Sequence, residues 1–481
     1  MTSEISLSTM KRWTLVVVCA ATAMLMLDIA VVNTALSRIA EDLNTGLSGL
    51  QWVVDAYTLA LASVVLTAGA LADRFGRRRL FAIGLVVFTV SSAACAAATD
   101  IVFLDVARAV QGLGGAVMFA VSLAILADAF PNPRERAGAL AAYGATIGGT
   151  FAIGPLVGGA LTSGLDWQWI FLINIPLGAA CLWLTRSYVR ESRDPATPPV
   201  DWVGQTALMG GLFLLVLALL RGNEDGWTST TIIAEFAGAV VLLGGFLAIE
   251  LRSTHPMLPL RLFKIPSFTG AQIAAFGISG SFFAVFLYMT LYLQQILGLS
   301  AIEAGLAYLP ATVVIFLVSG ATSQLGERIS PRVMITVGLG LVSAGMALMT
   351  FAQADSSWTV LLPGMLVAAV GTGLFNPAVI AVALGSVPVE QSGLAAGVND
   401  TFRQAGVAVG VAALGALVPA GSALGGGSPT KYVDGLQNAL FAGAGLAAVA
   451  AVAAGILIGR GSARHDAVAL PTDAELLAEA A

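Results

Sequence analysis

The segment Gly69–Leu80 reads GALADRFGRRRL and lies between two long apolar runs. Within it, residues 73–79 carry five charges. Gly69 and Gly76 permit a close helix approach and a tight turn, and Asp73 can cap the next helix or pair with an arginine. A loop this rich in arginine is typical of the cytoplasmic side of a membrane protein. The segment therefore predicts two membrane-spanning helices joined by a short cytoplasmic loop.

The composition of the whole chain indicates the same class of protein. Of its 481 residues, 57% are hydrophobic and 11% are charged, whereas a soluble domain has about 25% charged residues. Apolar runs of roughly 20 residues can cross a bilayer as helices. We predict fourteen such runs, at residues 13–33, 52–72, 80–99, 101–127, 137–162, 167–185, 203–220, 231–249, 267–297, 304–325, 333–352, 357–387, 393–420 and 435–459. The predicted fold class is an all-α polytopic membrane protein.

The distribution of lysine and arginine tests this count. With the N-terminus inside, the predicted cytoplasmic segments hold eighteen of the 23 Lys and Arg residues, and the outer segments hold three. Cytoplasmic loops of membrane proteins carry an excess of these residues. The bias favours an even number of spans with both termini in the cytoplasm.

Two halves of the chain resemble each other weakly. Gly112 and Gly114 in the fourth run match Gly371 and Gly373 in the twelfth, and a proline closes each stretch. Duplicated bundles are typical of transporters, whose substrate site lies between the repeats. We therefore expect two related six-helix bundles with the seventh and eighth runs inserted between them. The predicted domains are residues 1–190 (first bundle), 191–266 (linker and inserted helices), 267–460 (second bundle) and 461–481 (cytoplasmic tail).

The sequence argues against several other classes of protein. The net charge of −5 is spread along the chain, so no nucleic-acid-binding patch is predicted. The three cysteines lie inside apolar runs and the two histidines lie outside them, so we expect neither a metal site nor a cofactor. The sequence has no P-loop pattern and no plausible cluster of nucleophile and base, so we do not expect an enzyme.

Charged residues inside the apolar runs are the first candidates for function. A charge in the bilayer interior costs roughly 2.5–3.5 kcal/mol on insertion scales, so such a residue faces a cavity or a partner. These residues lie in the first, second, fourth and thirteenth runs: Asp28, Asp55, Asp105, Arg108, Asp400 and Arg403.

Asp28 and Asp55 are predicted to lie at similar depths, roughly 8 Å and 5 Å from the outer ends of their helices. Burial and the mutual repulsion of two carboxylates both favour a protonated carboxyl group. Such a group can carry a proton inward, or it can bind a cationic substrate in competition with the proton. The alternative is that each carboxylate caps a backbone group or lies in the wet interface.

Two further charged pairs are predicted to assist. Arg108 lies roughly 10 Å into the fourth run, and Asp105 is one turn earlier on the same face, so the two can form an ion pair. A positive charge at Arg108 would also favour proton release from Asp28. Asp400 and Arg403 are three residues apart, and either neutralise each other or take part in coupling. The predicted proton-coupling residues are Asp28, Asp55, Arg108 and Asp400.

The fifth run contains the motif GPLVGG. Gly154 and Gly158 form a GxxxG face that Gly159 extends, and Pro155 removes one backbone hydrogen bond. Small residues at this spacing let helices approach closely, and proline permits a bend. The motif therefore predicts a tightly packed, bent helix.

Polar and aromatic residues near the predicted cavity are candidates for substrate binding. Aromatic rings can stack on a lipophilic cation, although such residues more often anchor a core or an interface. The predicted substrate-binding residues are Asn33, Trp52, Asp55, Tyr57, Tyr288 and Tyr292.

Four motifs together resemble the major facilitator superfamily, and within it the fourteen-span drug:proton antiporters. They are LDIAVVNTAL (27–36), GALADRFGRRRL (69–80), ARAVQGLGGA (107–116) and GPLVGG (154–159). The resemblance implies the major facilitator fold and alternating-access exchange of a drug-like molecule for protons. It also matches Asp28 to the membrane-embedded acid of the first span and Arg108 to the arginine of the fourth. GPLVGG resembles the motif of exporters rather than importers.

The same resemblance gives the opening loop a role as a cytoplasmic gate. The predicted gate residues are Gly69, Asp73, Arg74, Gly76, Arg77 and Arg78. The chain departs from many relatives at Gln168, where they have arginine, and at Asp55, where they have an uncharged residue. An acid at this second position resembles the members that handle organic cations, including divalent ones.

We therefore predict a proton-coupled efflux transporter for cationic lipophilic drugs, working as a monomer in the bacterial inner membrane. Its expected partners are a small-molecule substrate, protons and the lipid bilayer. One alternative is a dedicated exporter of a natural product made by the cell. Two others are a proton symporter, which GPLVGG argues against, and a non-transporting membrane sensor, which the duplicated bundles argue against.

Overall fold

The computed structural model describes residues 7–193, 200–254, 256–325, 328–388, 391–419, 421–422 and 427–459. The predicted tail 461–481 and residues 194–199 of the predicted linker lie outside these ranges. The main elements in the described residues are helices: α1 (Leu7–Asp42), α2 (Leu47–Phe75), α3 (Arg77–Ala96), α4 (Ile101–Ala129), α5 (Pro133–Gly164), α6 (Trp169–Tyr188), α7 (Trp202–Asp225), α8 (Thr230–Arg252), α9 (Pro266–Ile296), α10 (Ala301–Leu325), α11 (Pro331–Met349), α12 (Leu362–Gly385), α13 (Ser392–Gly415) and α14 (Pro429–Leu457).

Two of these helices are irregular. α6 consists of a short segment, Trp169–Leu172, and a longer one, Asn174–Tyr188. α9 contains two π-helical segments, Ser279–Phe283 and Tyr292–Ile296. Short 3₁₀ helices at Leu260–Lys264 and Trp358–Val360 lie in the connections before α9 and α12.

Local chemistry sets where several helices begin and end. The carboxylates of Asp100 and Asp201 cap α4 and α7, accepting hydrogen bonds from the backbone N–H of Phe103 (2.9 Å) and Gly204 (2.7 Å). Such a cap satisfies a backbone donor that the helix leaves free. Gly76 separates α2 from α3 with a φ of +109°, which side chains rarely allow. The tight turn predicted for the opening loop is therefore present.

Each of the fourteen predicted runs corresponds to one helix. Thirteen helices in the described residues are long and apolar enough to cross a membrane. The exception is α13, which is long enough at 24 residues but carries Asn399, Asp400, Arg403 and Gln404. Because α13 packs against α2, α7 and α9, it can hold polar groups that a lipid-facing helix cannot.

The two halves share a close helix contact that depends on glycine. A Cβ added at Gly84 of α3 would lie 3.1 Å from the carbonyl O of Gly114 in α4, and one added at Gly338 of α11 would lie 2.7 Å from the carbonyl O of Gly371 in α12. Each pair lets two backbones approach closely. The structure thus supports the repeat, but makes Gly114 rather than Gly112 the counterpart of Gly371.

The two bundles pack against each other through several pairs of helices. Helices α1–α6 form the first bundle and α9–α14 the second. They meet most extensively where α5 packs against α10 and α2 packs against α13, and also where α1 contacts α9 and α10 and α4 contacts α13. We call the end of the molecule that holds the Gly69–Leu80 loop the basic end, and the other the opposite end.

The bundles are in closest contact at the opposite end, where three hydrogen bonds join them. These run from Gln51 Nε2 to Tyr288 Oη (2.7 Å), from Gln294 Nε2 to the carbonyl O of Thr34 (2.9 Å) and from the backbone N of Ile302 to Ser163 Oγ (3.1 Å). Toward the basic end of α5, in contrast, a Cβ added at Gly144 or Gly148 would meet no atom within 4 Å.

The inserted pair, α7 and α8, lies beside the contact between α2 and α13. The two helices pack against each other, and α7 also packs against α2 and α13. The buried Gln205 of α7 donates a hydrogen bond to the carbonyl O of Ser63 at 2.9 Å and accepts one from the Thr67 hydroxyl. At the opposite end, Asn223 Nδ2 donates to the carbonyl O of Ala416 at 2.8 Å. The inserted helix thus contacts both bundles.

Gly158→Val is expected to lower the thermal stability of the protein. The Cβ alone would lie 2.8 Å from Val31 Cα in α1, and overpacking of this kind costs roughly 1–3 kcal/mol. The matched control is Gly148→Val on the same helix, because a Cβ there meets no atom within 4 Å. Size-exclusion chromatography of heated detergent extracts measures both variants, and equal melting temperatures would contradict the close α1–α5 packing.

Candidate functional site

The deepest charges of the first bundle form one ion pair. Asp28 of α1 is 1% exposed and Arg108 of α4 is 2% exposed. Arg108 Nη1 lies 2.5 Å from Asp28 Oδ2. The structure therefore brings together two residues that the sequence predicted to act on each other in proton coupling.

Three uncharged side chains complete this polar cluster. Gln111 Nε2 donates to Asp28 Oδ1 at 2.8 Å, and Asn174 Nδ2 donates to the same oxygen at 3.2 Å. Both amides also donate to Ser92 Oγ. A buried ion pair is tolerated where further hydrogen bonds satisfy its remaining lone pairs. The Asp28 carboxylate meets that condition, with an arginine and two amide donors.

Arg108 also connects the cluster to α2. Its Nε donates to the carbonyl O of Val53 at 3.0 Å, and its guanidinium lies 4.2 Å from the centre of the Tyr57 ring. A cation over an aromatic face is electrostatically favourable. Tyr57, predicted to bind substrate, therefore covers the Arg108 guanidinium in this conformation.

The predicted ion pair between Asp105 and Arg108 is wrong. Arg108 reaches across to α1 and pairs with Asp28, whereas Asp105 Oδ1 is buried and finds no hydrogen-bond partner among the described residues. Residues three apart on a helix can meet, but here a carboxylate on a neighbouring helix takes the guanidinium.

Asp55, unlike Asp28, lacks hydrogen-bond donors. The residue is 0% exposed, and neither carboxylate oxygen has a hydrogen-bond partner within the described part of the chain. It lies on α2, one turn after Gln51, which bonds to Tyr288 of the second bundle. An isolated buried carboxylate is far more costly than a neutral or paired one. In this conformation the group needs a bound proton or a bound cation.

The predicted pair on α13 is not formed either. Arg403 Nη1 donates to Asn376 Oδ1 of α12 at 3.3 Å, and the guanidinium lies 5.9 Å from the centre of the Phe283 ring. Asp400 Oδ2 is buried, and the described residues give it no hydrogen-bond partner. Asp400 and Arg403 therefore form no direct ion pair here, although each lies within electrostatic range of the other.

Three of the predicted substrate-binding residues have other contacts. Trp52 packs against Phe213 of the inserted α7, with ring centres 5.7 Å apart. Tyr288 belongs to the interbundle hydrogen bond described above, and the Tyr292 hydroxyl donates to the carbonyl O of Gln353 at 2.6 Å. In this conformation the three rings make structural contacts with neighbouring parts of the chain.

Two further residues are Asn33, which was predicted to bind substrate, and Phe151, an aromatic residue of α5. Asn33 is half-buried, and its amide donates to the carbonyl O of Ile29 in its own helix at 3.2 Å. Phe151 of α5 meets Phe283 of α9 edge to face, with ring centres 5.4 Å apart. This aromatic contact crosses from one bundle to the other.

The GPLVGG motif makes close contacts on two sides of α5. A Cβ added at Gly154 would collide with Ala30 of α1, and one added at Gly159 would lie 2.8 Å from Ile302 Cα of α10. Pro155 lies within the helix. The predicted close packing is confirmed, and it joins α5 to its own bundle and to the second one.

The opening loop is fastened to the end of α6. Asp73 Oδ1 accepts a hydrogen bond from Arg77 Nε at 2.8 Å, so Asp73 pairs with an arginine rather than capping α3. The backbone N–H of Arg78 donates to Glu191 Oε1 at 3.0 Å, and that of Arg77 donates to the carbonyl O of Ser192 at 2.9 Å. These contacts stay near the first bundle, and a gate between the bundles remains a prediction for another conformation.

Sequence reasoning missed Ser92 and Asn174. Both are uncharged polar residues inside apolar runs. That pattern is a weak indication of function, because such a side chain can also bond to its own helix, as Ser91 does to the carbonyl O of Val87 at 2.6 Å. Only the position of Asp28 in space reveals their role.

Comparison with known sequences places the chain in a family. The sequence model of the Major Facilitator Superfamily matches residues 18–411. The chain belongs to the Major Facilitator Superfamily. It is 36% identical to the multidrug resistance protein Stp of Mycobacterium tuberculosis, over 82% of this chain and 74% of that protein. It is 33% identical to the drug efflux pump JefA of the same species, over 85% and 80% of the two chains.

Other relatives and solved structures agree with this assignment. The methylenomycin A resistance protein of Streptomyces coelicolor is 33% identical over 82% of this chain and 83% of its own. The human organic anion transporter MFSD10 superposes with a TM-score of 0.60 at 15% identity, covering 92% of this chain and 99% of that one. The peptide transporter POT gives 0.64 at 14% identity, with 94% and 99% covered. These two structures show the shared fold.

Arg108→Gln is expected to destabilise this Major Facilitator protein, because it leaves Asp28 as an uncompensated buried carboxylate. Removing one partner of a buried pair costs roughly 3–5 kcal/mol. The double variant Asp28→Asn/Arg108→Gln removes both charges at similar volume, and we expect it to recover much of the loss. Thermal melting of the purified protein measures the resulting double-mutant cycle. Purely additive effects would show that the two charges do not interact.

Proposed function

We propose that this protein exports drug-like, cationic lipophilic compounds in exchange for protons. Relatives named as a multidrug resistance protein and a drug efflux pump support export. The exchange chemistry rests on one observation, the buried and unpartnered carboxylate of Asp55 at the boundary between the bundles. A group that needs either a proton or a cation is suited to exchanging one for the other.

We place the protein in the bacterial inner membrane with the basic end in the cytoplasm. The excess of Lys and Arg in the predicted cytoplasmic segments, eighteen of 23 against three outside, supports this orientation. The opposite end then faces outward. The three interbundle hydrogen bonds there correspond to a state closed to the outside.

In this scheme Asp55 alternates between a proton and a cationic substrate. When the site faces outward, the carboxylate releases the substrate and takes up a proton. When it faces inward, it releases the proton and binds the next cation. One carboxylate carries one negative charge, so the two ligands compete, and this competition is sufficient for antiport.

We assign the ion pair of Asp28 and Arg108 to coupling rather than to direct exchange of ligands, because the Asp28 carboxylate already has three donors. Arg108 bonds to the carbonyl O of Val53, two residues before Asp55. A change at Asp55 can therefore reach α1 and α4 through this contact. Asp400, also without a partner at one oxygen, offers a second acid for divalent substrates.

The energetics are adequate for this function. One proton moving down 100 mV contributes about 2.3 kcal/mol, and a pH difference of one unit adds about 1.4 kcal/mol. Together they sustain roughly a several-hundred-fold gradient of a neutral substrate per proton. A divalent cation moved outward needs more than one proton, which two acids can supply.

The second candidate function is dedicated export of one natural product as self-resistance. The similarity to the methylenomycin A resistance protein favours it, as does the use of only three lysines in an Ala- and Gly-rich chain, a composition typical of GC-rich genomes. Efflux of a single compound, with no activity on ethidium or dicationic dyes, would select this function over multidrug export.

Asp55→Asn is expected to reduce efflux of both dye classes, and that of dicationic dyes more than that of monocationic ethidium, because a dication needs both Asp55 and Asp400 whereas a monocation can still be exchanged at Asp400. We expect the difference to be about tenfold, equivalent to about 1.4 kcal/mol. Fluorescence efflux from intact cells measures it, with Asp55→Glu as the charge-preserving control. Equal losses for both classes of dye would contradict the role of Asp55 in cation recognition.

Asp28→Asn is expected to abolish proton-driven efflux of every substrate, because it leaves Arg108 as an unpaired buried charge and breaks the link between α1 and α4. Substrate-induced collapse of a pH gradient in inverted vesicles reports on the coupling directly. The matched control is Asp105→Asn, which removes an acid outside the ion pair and should retain coupling. Normal exchange in Asp28→Asn would remove the pair from the mechanism.

A further inference from the structure

A small cavity of about 90 Å³ lies at the opposite end, which faces outward in the proposed orientation. It is bounded by the start of α2 and the ends of α7 and α13. Its lining includes Ser48, Gln51, Asn223, Glu224 and Gly415. The polar side chains of Ser48, Gln51, Asn223 and Glu224 make the cavity suitable for water.

The floor of this cavity is a hydrogen bond between the bundles. Gln51 is 4% exposed and Tyr288 is 0% exposed. Gln51 Nε2 donates to Tyr288 Oη at 2.7 Å, and Tyr288 Oη donates in turn to the carbonyl O of Val411 in α13. Asp55 follows Gln51 by one turn on the same face of α2 and lies in electrostatic range of Tyr288. The hydrogen bond therefore separates the cavity from the Asp55 carboxylate.

This hydrogen bond requires a glycine at position 415. A Cβ at Gly415 would collide with the Gln51 amide and with the Tyr288 hydroxyl. Both colliding groups are the ends of side chains, so an added methyl group would displace them rather than the backbone. Alanine at this position is thus expected to break the hydrogen bond while leaving the helices packed.

The inserted helix α7 holds α13 beside this glycine. Asn223 accepts a hydrogen bond from Trp227 Nε1 at 3.1 Å, which orients its amide, and it donates to the carbonyl O of Ala416 at 2.8 Å. The same helix is fastened to α2 through Gln205, which donates to the carbonyl O of Ser63. α7 thereby ties the end of α13 to the first bundle.

We propose that Gln51, Tyr288 and Gly415 form an extracellular gate over Asp55, and that Asn223 of α7 holds this gate closed. The proposal rests on the exchange at Asp55 proposed above. With the extracellular gate closed, the Asp55 carboxylate is separated from the outer solution. Separation of the bundles at this end breaks the hydrogen bonds from Gln51 to Tyr288 and from Asn223 to Ala416. Asp55 is then connected to the cavity and to the water outside.

The test measures access to position 55 from outside. In a chain with Cys19, Cys95 and Cys181 replaced by alanine, Asp55→Cys is labelled in intact cells with a membrane-impermeant thiol reagent. Adding Gly415→Ala or Tyr288→Phe is expected to make labelling about fivefold faster, as for the loss of roughly 1 kcal/mol of closing free energy. The matched control is Gly393→Ala, on the same helix, where a Cβ meets no atom within 4 Å.

Faster labelling in both gate variants, Gly415→Ala and Tyr288→Phe, with Gly393→Ala at the parent rate, supports the proposal. Labelling at the parent rate in either gate variant overturns it. Faster labelling caused by general loosening of the fold also overturns the proposal. A second chain that keeps Cys95 detects such loosening, because this thiol is 0% exposed in the first bundle and must stay unlabelled in the gate variants. The labelling rate does not depend on transport of a substrate or on exchange of protons. A failure of this assay is therefore distinct from a failure to export.

Discussion

The ion pair of Asp28 and Arg108 is the interaction on which the first bundle depends. Each charge alone would cost roughly 2.5–3.5 kcal/mol in the bilayer interior, so neither can be placed without the other. The pair joins α1 to α4, Asn174 adds α6, and the bond to Val53 adds α2. In lipid, apolar contacts alone give little preference for one helix neighbour over another. The polar cluster, which also includes Ser92 of α3, supplies that preference and fixes five helices around one point.

The same physics gives Asp55 a different status. A carboxylate that is fully satisfied holds a structure together, whereas one that is buried without partners changes its ligand whenever its surroundings change. Asp28 lies inside one bundle, where its donors move with it. Asp55 lies one turn after Gln51, which contacts Tyr288 where α2 of one bundle meets α9 and α13 of the other. Relative motion of the bundles therefore acts on Asp55 and leaves the Asp28 pair intact.

The sequence predicted the helices and the close packing of GPLVGG because the bilayer imposes long apolar runs and tight helix contacts require small residues. It did not predict which buried charges pair between helices. Arg108 had an acid three residues away, yet it pairs with one 80 positions distant in the chain, since spacing along a helix says nothing about neighbouring helices. Arg403 likewise turns to Asn376 of α12. Trp52 was expected at a cavity but faces α7, because nothing in the sequence places the inserted pair.

The position of the inserted pair affects how the bundles can separate. α7 contacts both α2 and α13, so it must follow one of them when they part. Its link to α2 is the buried Gln205 side chain with two hydrogen bonds, whereas its link to α13 is the exposed Asn223 with one. Breaking buried hydrogen bonds leaves unsatisfied groups away from water and costs more than breaking an exposed one. We therefore expect α7 to move with the first bundle, so that the insertion strengthens closure at the opposite end without adding a third moving body.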